Sequence, residues 1–103
     1  MTAYQELQLD ALGDAMRRAI LARLRTEPLS VGALAKTLPI SRPAVSQHLR
    51  VLKEAHLVTD HASGTRRLYS INQEGFRALR KYFDQFWTTA LSDFKKKVEE
   101  KAK

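Results

Sequence analysis

Between Ser41 and Ala55 the chain reads SRPAVSQHLRVLKEA, and the two sides of this segment differ in chemistry. At 100° per residue, Arg42, Pro43, Ser46, Gln47, Arg50, Lys53 and Glu54 fall within roughly 140° of one another. Ala44, Val45, His48, Leu49, Val51, Leu52 and Ala55 take the opposite side. Ser41 is a suitable N-cap, and Pro43 sits in the first turn, where its missing amide costs no helical bond. The spacing therefore predicts a helix over Arg42 to Ala55 with one face in a core. The other face displays two arginines, a lysine, a serine and a glutamine, the side chains that reach phosphates and base edges. A solvated surface helix also has a polar face, so the neighbouring elements decide between the two readings.

Those neighbours are short and well punctuated. A helix α1 is expected over Tyr4 to Leu12, with Leu7, Ala11 and Leu12 on one side, broken by Gly13-Asp14. Asp14 can cap α2, Ala15 to Leu24, whose apolar stripe is Ile20, Leu21 and Leu24. Glu27-Pro28 stops it. Ser30 can cap a short α3, Val31 to Thr37, with Leu34 and Ala35 inward. Leu38-Pro39-Ile40 allows only a turn before Ser41 and α4, the segment described above. Two such helices joined by about four residues have helix-turn-helix geometry. LVTDH and RRLYSI, either side of ASGT, read as a β-hairpin over Val58 to Ile71, with Arg66 and Arg67 beside its tip. Asn72 can cap a final helix, α5, from Gln73 to about Ala102, on the order of 45 Å long.

Charge narrows the partner. Lys and Arg number 18 against 11 Asp and Glu in 103 residues, a net charge of +7. That balance suits a polyanion, either nucleic acid or an anionic membrane surface. The length suits one domain, 1–103. The chain has no cysteine, which excludes disulfides, thiolate metal sites and cysteine nucleophiles. No apolar run approaches the ~20 residues of a membrane span. The start, MTAYQELQLD, lacks the pattern of a signal peptide, so a cytoplasmic location is expected. No Gly-rich phosphate loop, GxSxG or HExxH is present, and Asp14 and Glu27 read as a cap and a helix end. An enzyme is not expected. The candidate recognition helix, with the turn before it and the arginine-bearing hairpin after it, favours double-stranded DNA.

The last helix carries a second signal. Phe76, Leu79, Phe83, Phe86, Trp87, Ala90, Leu91, Phe94 and Val98 recur at steps of one, three and four. Nine such positions exceed what so small a domain can cover. A homodimer would meet on this stripe, using Tyr4, Leu7, Ala11, Phe83, Phe86, Trp87, Ala90, Leu91 and Phe94. The expected dimerisation helices are thus about 4–12 and 73–101. An intramolecular core, a membrane-surface helix and a ligand pocket between the aromatics are the alternatives.

The runs ALGDAMRRAILARL, LSVGALAKTLPISRPAVSQHLRVLKEAHLV and RRLYSI resemble the ArsR/SmtB family of bacterial winged helix-turn-helix regulators. The resemblance covers about Leu9 to Asn72. It implies a mainly α fold with a small β-hairpin wing, in the order α1-α2-α3-α4-β-β-α5, and a homodimeric DNA-binding repressor. It places Ser41, Arg42, Pro43, Ser46, Gln47 and Arg50 on the DNA-facing helix, which Lys53 shares on the wheel, and Arg66 and Arg67 on the wing. Ala15-Met16 stands where the family usually has Pro-Thr. His56 replaces the glycine that usually ends the recognition helix, and histidine tolerates the left-handed conformation better than most residues. The metal-sensing members use Cys-x-Cys in the third helix or a His and carboxylate cluster in the last. Here the third helix reads SVGALAKTL and no histidine follows Gln73, so no metal and no cofactor is expected. His48, on the apolar face, is expected to be packed and hydrogen-bonded. An inverted-repeat operator is expected, with a small-molecule or protein effector left open. A protein-binding winged-helix module and a non-specific nucleic-acid binder remain the competing functions.

Overall fold

The structure is a computed structural model that describes residues 3–102; Met1, Thr2 and Lys103, part of the expected 1–103 unit, lie outside the described residues. The element order is α1 (Ala3–Leu12), α2 (Ala15–Leu24), β1 (Leu29–Ser30), α3 (Val31–Thr37), α4 (Arg42–Glu54), β2 (Val58–Ser63), β3 (Arg66–Ile71) and α5 (Gln73–Ala102). Side-chain caps set four of the helix starts. The Asp14 carboxylate accepts from the Met16 and Arg17 amides at 2.8 and 3.0 Å. Ser30 accepts from Ala33, Ser41 from Ala44, and Asn72 from Gly75. Each satisfies an amide that has no intrahelical partner.

The hairpin is part of a three-stranded antiparallel sheet in the order β1-β3-β2. Leu29 pairs with Tyr69 and Ser30 with Leu68. This strand precedes α3 directly and was not legible, because two residues carry no alternation. Asp60 lies opposite Tyr69, and Ser63 opposite Arg66. The two-residue turn between strands has Gly64 at φ 62°, a sign of φ that glycine takes without steric cost.

Ile20, Leu21 and Leu24 of α2 meet Leu34 of α3 and Val45, Leu49 and Leu52 of α4 in one buried cluster, closed by Leu57 and Val58. Ala11, expected on an intersubunit surface, is fully buried in this same cluster, because α1 packs against both α2 and α4. His48 is half-buried on the apolar face, but its Nδ1 is enclosed without a hydrogen-bond partner among the described residues. Its face of α4 is shared with Val45, Leu49 and Leu52, none of which offers one.

The end of α4 and the start of α5 meet at close range. His56 adopts φ 58°, the left-handed conformation that reverses the chain after the helix. The Asn72 amide donates to the Leu57 carbonyl at 3.0 Å. Gly75 is buried against the His56 backbone, where an added Cβ would lie 1.7 Å from the His56 carbonyl oxygen. Gln8 of α1, also fully buried, donates from Nε2 to the Gly75 carbonyl at 3.1 Å. Tyr4 adds a ring contact with His56 at 4.8 Å between centroids. Beyond Leu79, α5 has no buried residue and extends outward, giving the protein a long axis of 68 Å against 25 and 24 Å.

Gly75→Ala should therefore lower unfolding free energy by about 1–3 kcal/mol, the range for overpacking a tight site. Urea denaturation followed by circular dichroism reads this as a lower midpoint; a midpoint equal to the parent's would show that the two backbones separate freely.

Candidate nucleic-acid interface

Burying Val45, Leu49 and Leu52 fixes the rotation of α4 about its axis. Arg42, Pro43, Ser46, Gln47, Arg50 and Lys53 are then all exposed, as the wheel requires, and Ser41 is exposed at the cap. The structure brings these seven together on one ridge. Within it, Arg50 donates from Nη2 to Gln47 Oε1 at 2.8 Å. That bond occupies one lone pair of the glutamine carbonyl and leaves its NH2 group for an outside acceptor. Glutamine presents such a donor and acceptor pair to adenine, and arginine presents its fork to guanine.

Arg42, at the first turn of α4, lies back across α3. A side-chain carbon at Gly32 would sit 3.0 Å from Arg42 Nη2, so the absence of one there gives the guanidinium its place. The same groove, about 470 Å³ in volume, is lined by Lys36 and Thr37 of α3 and by Arg66 and Arg67 of the wing. Four cationic side chains thus border one concavity between the helix-turn-helix and the hairpin. Lys36 was not identified from the sequence. A single lysine on a short helix gives no signal until β3 is folded beside it.

Asp60 of β2 links the ridge to the wing. Its carboxylate lies 2.8 Å from Lys53 Nζ and 2.9 Å from Arg67 Nη1, one oxygen to each. The Asp60 side chain is only 8% exposed, while those of both cations are 55% exposed. Hydrogen bonding from Lys53, with that from Arg67, holds its carboxyl below the ordinary 3.8 although burial acts the other way. Asp60 also went unrecognised in the sequence, since its partners come from two other elements. Arg66, by contrast, makes no ion pair among the described residues.

The second expected surface is partly assembled. Phe83, Phe86, Trp87, Leu91 and Phe94 are exposed along α5, Trp87 at 57% and Phe94 at 67%. Ala90 is half-buried, and Leu7 is exposed on α1. Tyr4 is half-buried against His56, and Ala11 belongs to the core. Phe76 and Leu79, at the start of the stripe, pack inside the protomer. Phe86 and Trp87 meet edge to face at 5.5 Å. The three histidines occupy α4, the following turn and β2, and no three His, Asp or Glu side chains gather among the described residues. Among those residues, no helix is long and apolar enough to cross a membrane.

A helix-turn-helix domain family matches residues 12–61. The chain is 54% identical over 89 residues to the HTH-type transcriptional regulator Rv2034 of Mycobacterium tuberculosis, covering 86% of this chain and 83% of that one. It is 39% identical over 62 residues to the transcriptional repressor SdpR of Bacillus subtilis, covering 60% and 69%. The fold superposes on an ArsR-like transcriptional regulator from Rhodococcus sp. RHA1 with a TM-score of 0.80, at 27% identity, covering 91% of this chain and 92% of that one. The chain belongs to the ArsR/SmtB family of winged helix-turn-helix transcriptional regulators, which are DNA-binding proteins and not enzymes.

Proposed function

We propose that the protein is a homodimeric repressor that binds an inverted-repeat operator in the cytoplasm and needs no metal for release. The observation that carries the reading is the pair of exposed surfaces of unlike chemistry borne on two helices of one domain. One is polar and cationic, on a helix whose back is fully packed. The other is apolar, on a helix that leaves the core after Leu79. Residues 1–103 act as one winged-helix unit, with α1 and α5 as its dimerisation arms. In a two-fold dimer the α5 stripe meets its mate, and two α4 helices enter successive major grooves about 34 Å apart. Ser46, Gln47 and Arg50 contact bases. Ser41, Arg42 and Pro43 approach the backbone with Arg66, while Lys53 and Arg67 stand at its edge. Binding draws on counterion release chiefly by Arg42 and Arg66. Repression follows from occupying a promoter. Metal independence rests on the donor set: no thiolate, and imidazoles on three separate elements.

Selecting bound sequences from random duplexes should return a two-fold symmetric motif of bounded length. Smeared protection with no motif would favour a non-specific binder, and no retention at all a protein-binding module. On the selected site, Arg50→Ala or Gln47→Ala should reduce discrimination against random DNA by roughly 1–3 kcal/mol in a gel-shift competition. Equal loss on every sequence would reassign that side chain to phosphate contact. Trp87→Ala should move the mass in equilibrium sedimentation toward the monomer, and an undiminished dimer would place the interface elsewhere.

A further inference from the structure

We propose that Asp60 is a specificity-determining positioning residue, which withholds Lys53 and Arg67 from free contact with DNA phosphates. The inference rests on the DNA-binding reading above. Lys53 and Arg67 lie at the edge of the face that would meet the duplex, one at the end of α4 and one on the wing. Each is held by a separate oxygen of the same carboxylate, at 2.8 and 2.9 Å. The carboxylate is largely enclosed, so moving either cation to a phosphate would leave a desolvated charge with one partner instead of two. The pairs therefore persist on DNA. They cancel one of the two positive charges where a sequence-independent attraction would otherwise act.

The same pairs have a geometric effect. Lys53 belongs to the last turn of α4, Asp60 to β2 and Arg67 to β3. One carboxylate thus fixes the wing relative to the helix that reads bases. Base contacts require that relation, because a displaced wing moves Arg66 out of register with the ridge. Phosphate attraction on random DNA does not require it. Asp60 thereby lowers non-specific affinity while supporting specific affinity, and both effects raise the ratio of the two.

The test is Asp60→Asn in the full chain, with binding to a selected operator and to a random duplex measured by fluorescence anisotropy across a salt series. On random DNA the variant should bind about tenfold or more tightly at 0.1 M salt, with a log–log salt slope steeper by roughly 1–2, since each newly contacted phosphate adds about 0.9. Operator affinity should gain less, so the operator-to-random ratio falls. Asp60→Glu, which keeps the charge, should restore much of the shallow slope. Parental slope and ratio in Asp60→Asn would overturn the inference, as would equal weakening on both duplexes. Should Asp60→Asn melt below the assay temperature, the slope is read in three single variants. Arg66→Gln should lower it by about 0.9, and Lys53→Gln and Arg67→Gln each by less than half as much. Equal decrements for all three overturn the inference. A parent that binds both duplexes equally sinks the operator reading, yet its random-DNA slopes still judge Asp60. A parent that binds neither sinks both.

Discussion

The packing of α4 is the constraint on which the rest depends. Val45, Leu49 and Leu52 are each fully covered, and they lie on one side of a 13-residue helix. Rotating that helix by one residue would bring a charged or polar side chain into the core, at a cost of several kcal/mol without a partner. The rotation is therefore fixed by burial alone, before any ligand is present. Ser46, Gln47 and Arg50 are presented outward as a consequence of what lies behind them. The face proposed to meet DNA needs no separate folding instruction.

A second constraint keeps this face in register with the long helix. The turn after α4 bends through the left-handed His56, and the backbone of α5 presses against that turn at Gly75. Gln8 bonds to the Gly75 carbonyl from the other side. The turn and α5 thus meet with backbone atoms in contact, and α1 joins them through the buried Gln8 side chain. Displacement of α5 at its base has to move either the turn or α1. Whatever pairs with the outer part of α5 is mechanically connected to the end of α4 through this junction.

Much of this was legible in the sequence, for physical reasons that differ between elements. The helix boundaries followed from Asp14, Ser30, Ser41 and Asn72, because capping is a local interaction between residues three apart. The inward and outward faces of α4 followed from periodicity. The exposed stripe from Phe83 to Phe94 followed from counting apolar residues against the core available. What could not be read was contact between distant segments. Strand β1 exists only because β3 lies beside it. Asp60 gives no signal within its own strand, yet it draws cations from α4 and β3. Ala11 looked available for an intersubunit surface because its spacing matched Leu7, but α1 leans on α2 and α4 at that point and covers it. His48 was correctly placed in the apolar face and wrongly given a hydrogen-bond partner, which periodicity has no means to supply.

The length of α5 also bears on what pairs with it. From Phe83 to Val98 the exposed apolar side chains span about 22 Å of helix. Helix α1, at ten residues, reaches only the nearer part of that distance, and one side of it is already committed to the core. Monomers rarely leave a contiguous apolar patch larger than a few hundred Å². A surface that matches the stripe must be equally long, equally apolar and able to seat Trp87 and Phe94 together. Within this chain, α5 is the element with those properties. Self-pairing of α5 around a two-fold axis, as proposed, would cover each stripe with the other and leave Lys95 and Lys96, which lie off the stripe on the helical wheel, to solvation. It would also place the two α4 helices in a symmetric relation, so the proposed operator symmetry would follow from how the apolar surface is removed from water.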